Sequence, residues 1–278
     1  MSSLLAPRVY ACPMAQGVVF HHGAQVVDWT PFGHEPVLWL SDKTAFDSHS
    51  PIRGGIPICW PWFGAGINGV SFPLHGFGRL SEWRLVSSTE NEDTVSARYI
   101  LVNASPDKFN YSYCLTYDVT FGLDFSATLN VRNTGDTRFV FEESLHTYLR
   151  VGDVRQTVIK GLNGAPYLDR VAGHFTGPHT QSTDLMITEE TDRIFHTTGD
   201  IVIQDPTMDR EIFLSRKGSQ DVIVWNPWIE KAKSLPDMSD DGWTSMICVE
   251  TANVGEHAIS LSPGRDHSIS FSLRVGPL

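Results

Sequence analysis

The chain has 278 residues, 41% of them apolar and 19% charged, which is enough for a sizeable core and excludes global disorder. Its net charge of -11, from 21 Lys+Arg against 32 Asp+Glu, excludes broad binding to nucleic acid, because that affinity comes from clustered cations neutralising phosphates. No run approaches the roughly 20 apolar residues that span a bilayer, and residues 1–16 lack a basic, then apolar, secretory leader.

In chain order, β-branched and aromatic segments predict strands at Gln25–Trp29, Val37–Leu40, Thr94–Val102, Tyr111–Phe121, Leu123–Asn133, Phe139–Leu149, Ile201–Ile203, Asp221–Trp225, Met246–Glu250, His257–Leu261 and His267–Val275. The strongest signal is Leu123–Asn133, where Phe125, Ala127, Leu129 and Val131 alternate with Ser126, Thr128, Asn130 and Arg132. With Gly122 as the turn, it forms a hairpin with Tyr111–Phe121. Turn signals such as Asn163-Gly164 and Ser262-Pro263-Gly264 separate the segments, and no long window carries a helical stripe. The expectation is an all-β chain, a large antiparallel sandwich or barrel, folded as a single domain over 1–278. Asn226–Trp243, rich in Trp, Pro, Lys and Asp, reads as a long ordered loop with a helical turn.

The four cysteines, Cys12, Cys59, Cys114 and Cys248, show no CxxC pairing, so they signal neither a zinc site nor a disulfide framework. Reduced thiols and the missing leader make a cytoplasmic protein the expectation.

Four polar constellations interrupt the β pattern. In Ser50-Pro-Ile-Arg-Gly-Gly-Ile-Pro, the turn-forming Gly54 and Gly55 and the stiff Pro57 can fix the Arg53 guanidinium for bidentate anion recognition. Taken alone, Arg53 is equally a surface ion-pair residue. Leu74-His-Gly-Phe-Gly-Arg places a second arginine, Arg79, beside glycines, so that the two can balance one phosphate dianion. His75 is either a donor to a sugar oxygen or a structural ring. In Glu142-Glu-Ser-Leu-His-Thr-Tyr, His146 shares strand parity with Glu142, Ser144 and Tyr148, and so faces away from the apolar set. Glu250 ends the apolar run Met246–Val249, where a carboxylate is costly unless it is paired, hydrogen-bonded or functional.

Together these segments resemble the hexose-6-phosphate mutarotase (glucose-6-phosphate 1-epimerase) branch of the aldose 1-epimerase family. The resemblance rests on the order of Arg53-Gly-Gly-Ile-Pro, His75-Gly-Phe-Gly-Arg79, Leu145-His-Thr-Tyr-Leu, Thr191-Asp-Arg-Ile-Phe, Trp225-Asn-Pro-Trp, Lys231-Ala-Lys and Val249-Glu250. It implies a galactose-mutarotase-type antiparallel supersandwich with the sugar in a concave cleft. It further implies His146 as general acid, Glu250 as general base, Arg53 and Arg79 holding the substrate, and His75 and Asp192 contacting the sugar. One departure is Leu74, where a polar side chain is expected, which removes one hydrogen bond to the sugar. The implied reaction needs neither metal nor nucleotide cofactor. The expected partner is a small hexose 6-phosphate, with no nucleic acid and no membrane, and the protein is expected to be a monomer.

Three other readings remain. A mutarotase for neutral aldoses has no use for two positioned arginines. A carbohydrate-binding sandwich would use Trp60, Trp62, Trp225 and Trp228 for stacking. A glycoside hydrolase would ordinarily need a second carboxylate beside Glu250.

Overall fold

The alternating segments in the middle of the chain pair as their pattern predicts. Tyr113–Phe121 and Asp124–Asn133 form an antiparallel hairpin, and Asp266–Pro277 lies along the far side of the second strand. They are the centre of a nine-stranded antiparallel sheet that runs from Leu185–Met186 through Val158–Lys160, Ile201–Asp205 and Arg210–Lys217 to this group, then to Val95–Val102 and Arg84–Glu90. One face carries Tyr117, Phe121, Phe125, Leu129 and Phe271 into the core, and the other carries Ser126, Thr128 and Asn130.

The second large sheet has eight strands, in the order Thr176–Thr180, Pro166–Asp169, Thr191–His196, Asp221–Asn226, Met246–Asn253, Glu143–Leu145 and Ile58–Cys59, with Tyr148–Arg150 also paired to Met246–Asn253. It packs on the first sheet through Val222, Val224, Ile247 and Val249, so the molecule is a large antiparallel β-sandwich. A three-stranded sheet, Pro7–Cys12, Ala15–Phe20 and Gln25–Pro31, joins the same core where Tyr10 stacks on Phe121 at 5.6 Å. This computed structural model describes residues 6–69, 71–102, 104, 107–171 and 175–278. Among them, no helix is long and apolar enough to cross a membrane.

Three expectations are corrected. Phe139–Leu149 is three short strands, Phe139–Phe141, Glu143–Leu145 and Tyr148–Arg150, because the chain changes partners. The first pairs with Ile259–Leu261, whereas the others pair with Met246–Asn253. At the gap, the His146 amide turns to the Pro57 carbonyl at 3.0 Å. Val37–Leu40 is no full strand; it makes isolated bridges, Leu38 with Leu149 and Leu40 with Gly54. His257 belongs to a 3-10 turn, Gly255–His257, and the strand begins at Ile259. The loop expected over 226–243 contains the helix Trp228–Ser234. Its entrance is held by Asn226, whose side-chain amide donates to the carbonyls of Trp243 and Met246, both at 2.9 Å.

Candidate active site

Cross-strand register builds the site. Leu145 lies opposite Thr251 and Tyr148 opposite Cys248, so the register is unbroken across the gap and puts His146 opposite Glu250. Residues opposite each other in an antiparallel pair share a face with their Cβ atoms about 5 Å apart. Accordingly His146 Nε2 lies 3.3 Å from Glu250 Oε1, and Ser144, diagonally placed, donates its hydroxyl to Glu250 Oε2 at 2.7 Å. A neighbouring row on the same face runs Tyr148, Cys248, Trp225, Asp192. The His146 ring stacks on Tyr148 with centroids 4.9 Å apart, and Trp225 meets both rings edge-on.

Glu250 is 1% exposed and His146 7%. Burial pushes the Glu250 carboxyl up to about 8, against the Ser144 hydrogen bond, which favours the carboxylate. Burial, aided by the positive charges of Arg79 and Arg53, pulls His146 down to about 3. Across the neutral range the pair therefore holds one proton. His146 Nδ1 is buried without a partner among the described residues.

Arg53 leaves a turn that requires glycine: Gly55 has φ 62°, and a Cβ there would lie 2.1 Å from the Val26 carbonyl oxygen. The Arg53 fork is already engaged, Nε and Nη2 each 3.1 Å from Asp237 Oδ2 and Nη1 donating to the Tyr148 hydroxyl at 3.0 Å. Arg79 sits on the 3-10 turn Gly78–Leu80 and donates Nη2 to the Leu74 carbonyl at 2.8 Å. The Leu74 side chain itself is exposed. Among the described residues, Arg79 Nε is buried without a partner and no carboxylate pairs with this guanidinium. Arg53 and Arg79 repel each other electrostatically, and both act on His75, His146 and Tyr148.

His75 takes the unusual φ of 65°, and Gly76 beyond it has no room for a Cβ, which would lie 2.0 Å from the Trp60 carbonyl oxygen. Strained backbone of this kind persists where the surrounding structure enforces it. The Gly64 amide donates to His75 Nδ1 at 3.4 Å, and burial holds the ring well below its ordinary pKa. His75 is thus neutral with its proton on Nε2, free to donate. Asp192 has its carboxyl raised by burial, although Arg170 and Lys231 draw it down, and it in turn pushes Glu250 up. Among the described residues its carboxylate pairs with no base, since Lys231 pairs with Glu190 at 3.7 Å.

The six residues singled out in the sequence thus occupy one electrostatic neighbourhood. Sequence reasoning missed Arg170 and Asp237. Arg170 lies 4.9 Å over the Phe63 ring and 5.4 Å over Phe175, gives its amide to the Asp192 carbonyl at 2.7 Å, and acts on both His146 and Glu250. Among the described residues it pairs with no carboxylate. A lone arginine after a short strand carries no periodic signal, and only the pairing of Pro166–Asp169 with Thr191–His196 brings it here.

The family model for aldose 1-epimerase matches residues 15–274. An Escherichia coli (strain K12) relative named "Putative glucose-6-phosphate 1-epimerase" is 34% identical over 84% of this chain and 78% of its own length. A relative of the same name from Cenchrus ciliaris is 32% identical, covering 93% of this chain and 81% of its own. The crystal structure of a "putative mutarotase" from Salmonella typhimurium superposes with a TM-score of 0.88 at 28% identity, over 97% of this chain and 90% of that one.

Proposed function

This chain belongs to the aldose 1-epimerase family, and on that premise we propose that it is a glucose-6-phosphate 1-epimerase, interconverting the α and β anomers of hexose 6-phosphates. The observation that carries this reading is the buried His146–Glu250 pair at 3.3 Å, with Arg79 and Arg170 beside it and, among the described residues, in ion pairs with no carboxylate. The relatives carry the same activity in their names.

Anomer exchange needs one base and one acid. The base takes the proton of the C1 hydroxyl while the acid protonates the ring oxygen O5. The C1–O5 bond then breaks to give the open aldehyde, which turns about C1–C2 and recloses on its other face. In this scheme Glu250 is the base and His146 the acid, each contributing on the order of 10²- to 10⁴-fold. Before substrate binds, burial keeps the shared proton on Glu250, and Arg79 and Arg53 add to the depression of His146. A bound phosphate dianion offsets those two charges and so favours the working arrangement, imidazolium with carboxylate. Ser144 steadies the Glu250 carboxylate, and the Nε2–H of His75 is directed to a sugar hydroxyl. Arg53, Arg79 and Asp192 complete the substrate contacts in this reading, with Arg170 as a third cation. The same reading takes 1–278 as a single domain and a cytoplasmic monomer, with no nucleic-acid or membrane partner.

One observation favours a neutral-aldose substrate instead: Asp237 and Tyr148 already occupy the Arg53 fork. Two-dimensional NMR exchange on the anomeric protons, with glucose 6-phosphate beside free glucose, separates the two. Faster exchange of the phosphorylated sugar is expected; preference for free glucose would overturn the phosphosugar reading.

A further inference from the structure

Two residues along the same sheet face from His146 and Glu250, a second polar row runs Ser144, Ala252, Asp221, His196. Ile223, opposite Glu250, and Ile194 beyond it belong to a small apolar cluster that also takes in Phe63 and, from this row, Ala252. Asp221 is fully buried. Its Oδ1 accepts from His196 Nδ1 at 2.8 Å and from His257 Nδ1 at 2.7 Å, while Oδ2 accepts from the Val254 amide at 3.0 Å. The two imidazoles meet edge to face with centroids 5.0 Å apart, and His196 Nε2 lies 3.7 Å from Glu256 Oε1. One ligand atom from each of His196, Glu256 and His257 falls within 4.8 Å of the others.

We propose that His196, His257 and Glu256 bind a divalent transition metal ion of the zinc type, with Asp221 as the positioning residue behind both imidazoles. An Nδ1–H held by a carboxylate fixes the tautomer that leaves Nε2 with its lone pair outward, which is how metal-ligating histidines are ordinarily oriented. Ligand atoms around tetrahedral zinc at about 2.1 Å sit roughly 3.4 Å apart, close to the 3.7 Å between His196 and Glu256. The ligands are accessible: the His196 and His257 side chains are 17% and 29% exposed, and Glu256, at 72%, is free to swing in. The Asp221 carboxylate, fully buried, is hydrogen-bonded by both imidazoles and the Val254 amide, and Arg216, which donates to the Asp221 carbonyl, lies within its electrostatic reach, so as a carboxylate it holds both Nδ1–H groups. Three protein ligands leave a fourth position to water. The ion would tie the turn Gly255–His257 to the ends of strands Thr191–His196 and Asp221–Asn226, and it takes no part in anomer exchange. The cysteine spacing that argues against a zinc site does not bear on this one, which contains no cysteine.

The test uses the whole chain, stripped with EDTA, desalted, and titrated with Zn²⁺ by calorimetry and with Co²⁺ by visible absorption. One ion per chain is expected, with a tetrahedral-type cobalt spectrum and a melting temperature raised by Zn²⁺. His257→Gln should weaken binding at least tenfold and abolish the melting shift, by removal of a ligand. Glu256→Ala changes an exposed side chain, keeps the fold, and should also weaken binding, so it decides the matter if His257→Gln does not fold. Absence of saturable binding in the wild type, or unchanged stoichiometry and affinity in Glu256→Ala, would overturn the proposal.

Discussion

The two large sheets solve opposite problems with the same antiparallel geometry. The nine-stranded sheet turns one face to the core and the other outward: Tyr113–Phe121 alternates strictly between buried and half-buried positions. In the eight-stranded sheet, Met246–Asn253 is buried at all eight positions, yet it includes Glu250, Thr251 and Asn253. The central hairpin of the first sheet buries apolar groups and gains stability from each. The central strand of the second also buries an ionisable group, Glu250, that opposes folding, and it carries the candidate site. Stability and chemistry are thereby separated in one sandwich, and substitutions in the two sheets should fail in different ways.

The largest stability effect belongs to the nine-stranded sheet. Phe125, fully buried against Trp29, Phe121 and Phe271, should cost about 3–5 kcal/mol when replaced by alanine. The exchange rate per folded molecule should be unchanged, which a urea melt and an NMR exchange assay measure side by side. Glu250→Gln should do the reverse. A carboxyl raised from 4.5 to about 8 gives stability that is fully present below pH 4.5 and is lost as pH rises through 8. The Glu250 contribution alone should therefore fall by on the order of 4 kcal/mol over that interval, at about 1.4 kcal/mol per pH unit. His146, lowered to about 3, works the other way, its contribution being present above pH 6.5 and lost as pH falls toward 3. Glu250→Gln should melt higher than wild type, by a margin that grows from pH 5 to pH 9; a constant margin would remove the raised carboxyl from the account.

Arg79→Ala should weaken binding of glucose 6-phosphate by about 10- to 100-fold, as expected for loss of a charge-assisted contact of roughly 1.5–3 kcal/mol. Binding of free glucose should hardly change, and calorimetry on both sugars reads the difference. The smallest effect should come from Ser126→Ala, on the half-exposed face of the nine-stranded sheet, within about 0.5 kcal/mol of wild type. A larger cost would mean that this face is covered in solution.

The same contrast explains what the sequence disclosed. Leu123–Asn133 was legible because one face is wet, so Phe125 to Val131 repeat with period two. Met246–Asn253 carries no alternation, and Glu250 stood out only as a charge at the end of an apolar run. His146 was placed on the correct face by parity with Ser144 and Tyr148, although the strand expected over 139–149 is broken in three. Arg170 and Asp237 were not legible, because they come to the site by long-range pairing and by the loop after Trp228–Ser234. The cluster of His196, Asp221, Glu256 and His257 escaped for the same reason, being gathered from three separate segments. Short edge strands such as Thr176–Thr180, exposed throughout, lack the apolar pattern on which such reading depends.

The central claim is that the cross-strand pair of His146 and Glu250 moves the protons of anomer exchange. The most direct measurement is two-dimensional NMR exchange on glucose 6-phosphate with Glu250→Gln, alongside the dissociation constant of the same variant. Glutamine keeps the shape and can still meet Ser144 but cannot take a proton, so exchange should fall at least about 10²-fold while affinity stays near that of wild type. Exchange by Glu250→Gln at the wild-type rate would contradict the account and reduce Glu250 to a buried partner of Ser144.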